Sequence, residues 1–269
     1  MDKYFGNNNK RLSDRFAKRT VQNSVSYIIP VLDSLPENFI FLDVGCGPAS
    51  ITLDIAQRYP NATILAIDQP EAIELARRNA AEAGVTNAQF AVGDGMQLAA
   101  MAQVPGFEAV LGGCDVVHTH QVHLHVQDSP ALMKQLRLAA KPQGDMGMAA
   151  FWPVTPAIEA IISMFPKLLE VRGQDPNVGR KLQAHAITAG FKKENCYNSV
   201  ETWLYDTVEK RREWVMVVSS STVETLAASM AREKGSDLSQ FKQDMLDWAE
   251  SDDGYYALPC PQIVCRRDD

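Results

Sequence analysis

Apolar positions along this chain switch between two periods. Short stretches in which apolar residues run together or alternate lie at 39–44, 63–68, 88–92, 114–120 and 145–151, and these are strand signals. At 50–59, 70–84 and 129–140 the apolar residues instead return every three or four positions, the spacing of an amphipathic helix. One more helix is predicted over 19–35, with Val21, Val25, Ile28, Ile29 and Leu32 on one side. Strands alternating with helices at this spacing predict a doubly wound, mainly parallel α/β sheet.

Beyond residue 152 the pattern changes. "TPAIEAIISMFPKLLEV" and "NVGRKLQAHAITAGF" read as helical, "KENCYNSVETWLYD" as a strand, 207–251 as mostly helical and "YYALPCPQIVC" as a final strand. That brings the expected sheet to seven strands. A chain of 269 residues suits one large domain with insertions better than two full domains.

The most informative stretch is "FIFLDVGCGPASITLDIAQRYP", residues 39–60. It reads as a strand, a tight glycine turn at Gly45 and Gly47, and a helix. The glycines let backbone pass close to a ligand. Asp43, just before them, suits a positively charged ligand group and would repel a pyrophosphate, which argues against a nicotinamide dinucleotide. Asp68 ends the next strand, where an acid can pair with ribose hydroxyls. Asp94 closes the third, with Gly95 and Met96 beside it, in place to accept from an adenine amine. Ligands of open α/β sheets bind at the carboxyl ends of strands. A cationic end, a ribose and an amino-bearing base without phosphate describe S-adenosylmethionine. The simpler reading of Asp68 is an acid at a helix start, since Pro70 follows; that of Asp94 is a solvated loop acid. Cys46 reads as a packing residue, and Ala49 stands at a third small position of the turn.

With these residues in view, the chain resembles a class I S-adenosylmethionine-dependent methyltransferase, nearest the UbiE-like small-molecule group. The resemblance rests on "RTVQNSVSYIIPVL" (19–32), "LDVGCGPASITLDIA" (42–56), "VVHTHQVHLHVQDSP" (116–130), "DPNVGRKLQAHAITAGF" (175–191) and "ALPCPQIVC" (257–265), which fall in the expected order. It implies an N-terminal arm and helix (1–35), a cofactor-binding core (36–152), and a substrate side (153–269) whose helical insert at about 207–251 forms a lid. It also implies that Arg19 pairs with the cofactor carboxylate or closes over the site, a helix-capping surface arginine being the alternative. His120, at the tip of the fourth strand, is implied to stand beside the methyl group with Gln121, as a general base if the acceptor is a hydroxyl. His125 is implied to hold a helix start. Trp214, Trp248, Met216, Met230 and Met245 either line an apolar chamber or pack the insert onto the body. Relatives usually carry a short loop with an aromatic residue where this chain has 97–113.

"HTHQVHLH" holds four of the five histidines. His118, His120 and His123 match the spacing of the metallo-β-lactamase metal motif, but Val122 stands where that motif needs Asp, so no metal is expected. Net charge is −7 with no long basic run, which argues against nucleic acid as a partner. The start lacks an apolar signal core and no run reaches transmembrane length, so a cytoplasmic location is expected. Five cysteines without CxxC spacing argue against a disulfide framework. A small, apolar or aromatic metabolite is the expected partner, with a homodimer left open. A fold that binds S-adenosylmethionine without methyl transfer, or runs another reaction in the same pocket, is the alternative function.

Overall fold

The computed structural model describes residues 18–149, 173–175, 177–218, 238–252 and 254–268. Seven strands form one sheet: β1 (Ile40–Val44), β2 (Thr63–Asp68), β3 (Ala88–Val92), β4 (Cys114–His120), β5 (Ala140–Ala149), β6 (Cys196–Tyr205) and β7 (Tyr256–Arg266). Their order is β3-β2-β1-β4-β5-β7-β6. β1 to β5 pair in parallel, and β7 runs antiparallel between β5 and β6. Strand order reverses between β1 and β4, where crevices open at the carboxyl ends of strands in sheets of this kind.

The residues on either side of each strand explain the layers. β1 alternates Phe41 and Asp43 with Leu42 and Val44, and all four are buried, because both sheet faces are covered. Leu42, Val44, Leu65, Ile67 and Val117 pack on one face with helix residues Leu132, Leu136, Leu182 and Ala186. Phe41, Ile64 and Val116 pack on the other, with Val21, Val25, Ile28, Leu32, Ile51 and Ile55. The labelled helices are α1 (Ser50–Arg58), α2 (Pro70–Glu82), α3 (Ser129–Ala139), α4 (Leu182–Thr188), α5 (Val208–Val218) and α6 (Leu238–Glu250). No helix among the described residues is long and apolar enough to cross a membrane.

The helix predicted over 19–35 is broken into Val21–Ser24, a 3-10 turn at Ser26–Ile28, and Ile29–Asp33. Val25 leaves the helical region at φ −146°. Pro30 has no N–H to continue a helix, and it sits in the first turn of the last piece, where that loss is harmless. The break folds this segment over the sheet. The 97–113 stretch carries a short helix at Leu98–Met101 and a 3-10 turn at Glu108–Val110. The 207–251 insert contains α5 and α6; 219–237, Met230 and the helix predicted within 155–171 lie outside the described residues, as does the polar arm up to residue 17.

Candidate active site

The glycine turn leaves β1 and is tied to β2: Gly45 and Cys46 N–H groups both donate to the Ile67 carbonyl, at 2.8 and 3.3 Å. Gly45 and Gly47 have φ of +82° and +57°, conformations that favour glycine. The two differ in what surrounds them. A Cβ on Gly45 would lie 2.4 Å from Val122 Cγ2, whereas one on Gly47 would meet nothing within 4 Å. Gly45 therefore serves close packing, and Gly47 leaves an open approach. Ala49 holds φ +64° and caps α1 while fully buried.

The three acids stand at the carboxyl ends of β1, the following β2, and the loop after β3, each in a different setting. Asp43 is turned inward and is 3% exposed. Its Oδ2 accepts from the Thr52 hydroxyl at 2.5 Å, and its Oδ1 lies 3.0 Å from His118 Nδ1. That pairing crosses the β1–β4 reversal, where Asp43 and His118 are register partners. Asp68 holds the glycine turn: its Oδ2 accepts from the Gly47 N–H at 2.7 Å and its Oδ1 from the Gln69 N–H at 2.6 Å. Burial raises the Asp68 carboxyl above the usual carboxylate range, against the pull of those two N–H donors. Asp94 is exposed and caps the turn Gly95–Gln97 by accepting from the Met96 N–H at 2.9 Å. Gly95 is boxed in, since a Cβ there would lie 2.7 Å from Val44 Cγ1. Burial, with Asp43 and Asp68 nearby, pushes the Cys46 thiol well above its ordinary range, away from thiolate, the reactive form.

A second group gathers at the tip of β4. His118 and His120 point to the same face, as residues two apart on a strand must, and their rings stack 6.5 Å apart. His120 is buried, and the Trp203 ring from β6 lies 6.1 Å away. Arg19 lies 5.6 Å above the same indole and donates to Gln121 Oε1 at 2.7 Å. Gln121 adopts φ +61°, a conformation that costs a side chain energy and clusters at functional sites. Burial, then the Arg19 charge and His118, hold His120 well below the ordinary imidazole range, so its ring is neutral. Thr20, not Arg19, caps the first helical turn, through a capping box with Asn23.

The structure thus brings together Arg19, Asp43, His120 and Gln121, and adds Thr52, His118 and Trp203. It separates the rest of the histidine cluster. His123 Nδ1 lies 2.6 Å from the Ser129 hydroxyl, which lies 3.0 Å from His185 Nδ1. A hydroxyl donates one proton, so one imidazole receives from Ser129 and the other donates to it. Burial, then His185, pushes His123 down to about 3. The start of α3 is therefore held by His123 through Ser129, and by Asp128, which accepts from the Ala131 N–H at 2.8 Å. The His125 carbonyl accepts from Gln174. No group of three metal-ligating side chains occurs among the described residues.

Trp214 lies in an aromatic knot, 5.0 Å from Tyr256, 5.7 Å from Trp248 and 6.2 Å from Tyr205. Met245 is buried and Met216 is half exposed.

A family model described as "Methyltransferase domain" matches residues 36–186. That span is more than half of the chain, and the protein belongs to this methyltransferase family. An uncharacterized methyltransferase of Schizosaccharomyces pombe is similar at 23% identity over 96% of this chain and 94% of its own length. Among solved structures, the YcgJ protein of Bacillus subtilis matches with a TM-score of 0.61 and 14% identity, over 92% of this chain and 99% of its own. A Haemonchus contortus phosphoethanolamine N-methyltransferase, solved with phosphomonomethylethanolamine and S-adenosylhomocysteine, matches with a TM-score of 0.55 and 15% identity. That match covers 92% of this chain but only 52% of the other, so this chain spans about half of that protein.

Proposed function

We propose that this chain transfers the methyl group of S-adenosylmethionine to an O, N or C nucleophile of a small, apolar or aromatic metabolite. The observation that carries this reading is the open approach at Gly47, whose N–H is held by Asp68, at the strand ends where β4 carries His120 against Trp203. The residues fit the cofactor. Asp68 is placed to take the ribose hydroxyls, with lone pairs left after its two backbone bonds. Asp94, Gly95 and Met96 are placed for the adenine. Gly45 and Gly47 would admit the methionine end, Asp43 is assigned to it, and Arg19 would pair with its carboxylate. The bound cofactor supplies an electrophilic methyl carbon. The protein's task is then to hold the nucleophile in line and exclude water. His120 is the side chain assigned to the methyl-transfer point, Gln121 and Trp203 to the acceptor wall. Trp214, named from the sequence as a substrate contact, supports α5 and α6, the proposed lid.

Calorimetric titration with S-adenosylhomocysteine tests the reading. Micromolar binding, about −8 kcal/mol, is expected, with no measurable binding of NAD. A folded protein with no affinity for S-adenosylhomocysteine would end it.

A further inference from the structure

Several buried polar groups around β4 have no hydrogen-bond partner: the Tyr27 hydroxyl, His118 Nε2 and both nitrogens of His120. His118 is 0% exposed and His120 8%. Buried polar atoms are nearly always satisfied, so the three open nitrogens of His118 and His120, on rings stacked 6.5 Å apart, mark a site for a polar occupant. Asp43 Oδ1 only accepts, which places a proton on His118 Nδ1 and leaves Nε2 a lone pair. Neutral His120 offers one donor and one acceptor. Burial, with Asp43 and Glu201 nearby, raises the Tyr27 phenol far above its ordinary range, so it stays an O–H. A facing acceptor on His118 and a donor and an acceptor on His120 match what a hydroxyl offers, one proton and its lone pairs.

We propose that this site takes a phenolic or enolic acceptor, and that the hydroxyl proton comes to rest on His118, backed by Asp43, rather than on His120. The proposal rests on the methyltransferase reading and names its substrate class. His118 is the better resting place for a physical reason. A carboxylate fixed by Thr52 stands 3.0 Å behind it, the base-and-orienter arrangement of nucleophile activation. His120 instead faces Arg19, whose charge opposes a second cation. Stacked rings 6.5 Å apart cannot hydrogen-bond directly, so one water molecule bridges the acceptor oxygen, bound at His120, to His118 Nε2. The acceptor oxygen forms its bond to the methyl carbon as the C–S bond breaks, with that electron pair going to sulfur. The proton passes through the water to Nε2, giving an imidazolium beside the Asp43 carboxylate. No electrons are exchanged with an external partner. His118 acts through the water and is a positioning residue.

The test uses 4-nitrophenol, whose phenolate has a visible band, added to the S-adenosylhomocysteine complex at a pH where the free probe is protonated. Wild type is expected to bind it largely as phenolate. In His118→Asn, whose amide N–H still serves Asp43, the ionised fraction of bound probe should fall at least about tenfold, one pKa unit. In His120→Asn binding weakens but the band persists. If His118→Asn does not fold, Thr52→Val replaces it and should give a smaller fall. Loss of the band in His120→Asn with its retention in His118→Asn overturns the proton assignment. Binding of S-adenosylhomocysteine without any binding of the phenol overturns the acceptor class and leaves the methyltransferase reading intact. No binding of S-adenosylhomocysteine removes that reading and this proposal with it.

Discussion

Two buried polar centres in this chain are built in opposite ways. At the far edge of the sheet, the Arg211 guanidinium is 2% exposed and donates to the carbonyls of Asp206, Ala249, Ser251 and Gly254, with its carbon 6.0 Å from the Trp248 ring centre. That cation is clothed by the backbone of the loop before α5, the end of α6 and the loop after it. Toward the end of β4, by contrast, His118 and His120 are buried with open positions. Saturation marks a polar group whose task is to hold the fold; open valence in the interior marks one whose partner arrives from outside. Both cost desolvation, and only the first recovers it within the chain.

The comparison is sharpened first by its largest expected effect. Arg211→Met strands four carbonyls, and stability should fall on the order of 3–5 kcal/mol, read by denaturant unfolding. Hydrogen exchange should show α5 and α6 opening before the β1–β4 half; uniform loss of protection would show that the edge is not a separate unit. Next, Asp68→Ala should weaken S-adenosylhomocysteine by about 1–3 kcal/mol while leaving the Arg211 region protected. Unchanged affinity with an intact fold would remove the ribose assignment.

The same residue gives a pH prediction. The Asp68 carboxyl is raised by folding, so its contribution is fully present below its unfolded value of 3.8 and is lost as pH rises through the folded value. Asp68→Asn should therefore gain on wild type as pH rises through that window, a shift seen by denaturation at several pH values. A gain that instead grows toward acid would mean the two N–H donors outweigh burial. The smallest effect belongs to Ala49. Ala49→Gly relieves a left-handed conformation worth roughly 1–2 kcal/mol but unburies a methyl worth about 0.8 kcal/mol. A net gain of no more than about 1 kcal/mol is expected; destabilisation would show that methyl packing dominates the turn.

Much of the first half of the molecule was legible because its signals are local. The strand limits at 63–68, 88–92 and 114–120 follow from apolar runs closed by turn residues, and the acids at 43, 68 and 94 follow those runs directly. What was not legible depends on strand order and register. Nothing local in β4 reveals that His118 lies opposite Asp43. Trp203 sits in an edge strand whose neighbours are mostly exposed, and it reads as a surface aromatic until β6 is placed. The break at Val25 was hidden because its apolar spacing persists through the interruption. Trp214 attracted a ligand role because a tryptophan in a methionine-bearing helical insert resembles a chamber wall; burial against three other aromatics is a tertiary fact.

The segment matched to the methyltransferase family begins at residue 36 and ends at 186. All three acids and both turn glycines lie within it. Arg19 and Trp203, which lie beside His120, are outside it on two flanking segments, while His118, His120 and Gln121 are within it. Under the proposed assignment, the acceptor site joins His118, His120 and Gln121 from within the matched segment to Trp203 from a flank. A change of acceptor in such a protein then draws on the flank and the β4 tip together, while Asp68 and Asp94 at the neighbouring strand ends stay as they are.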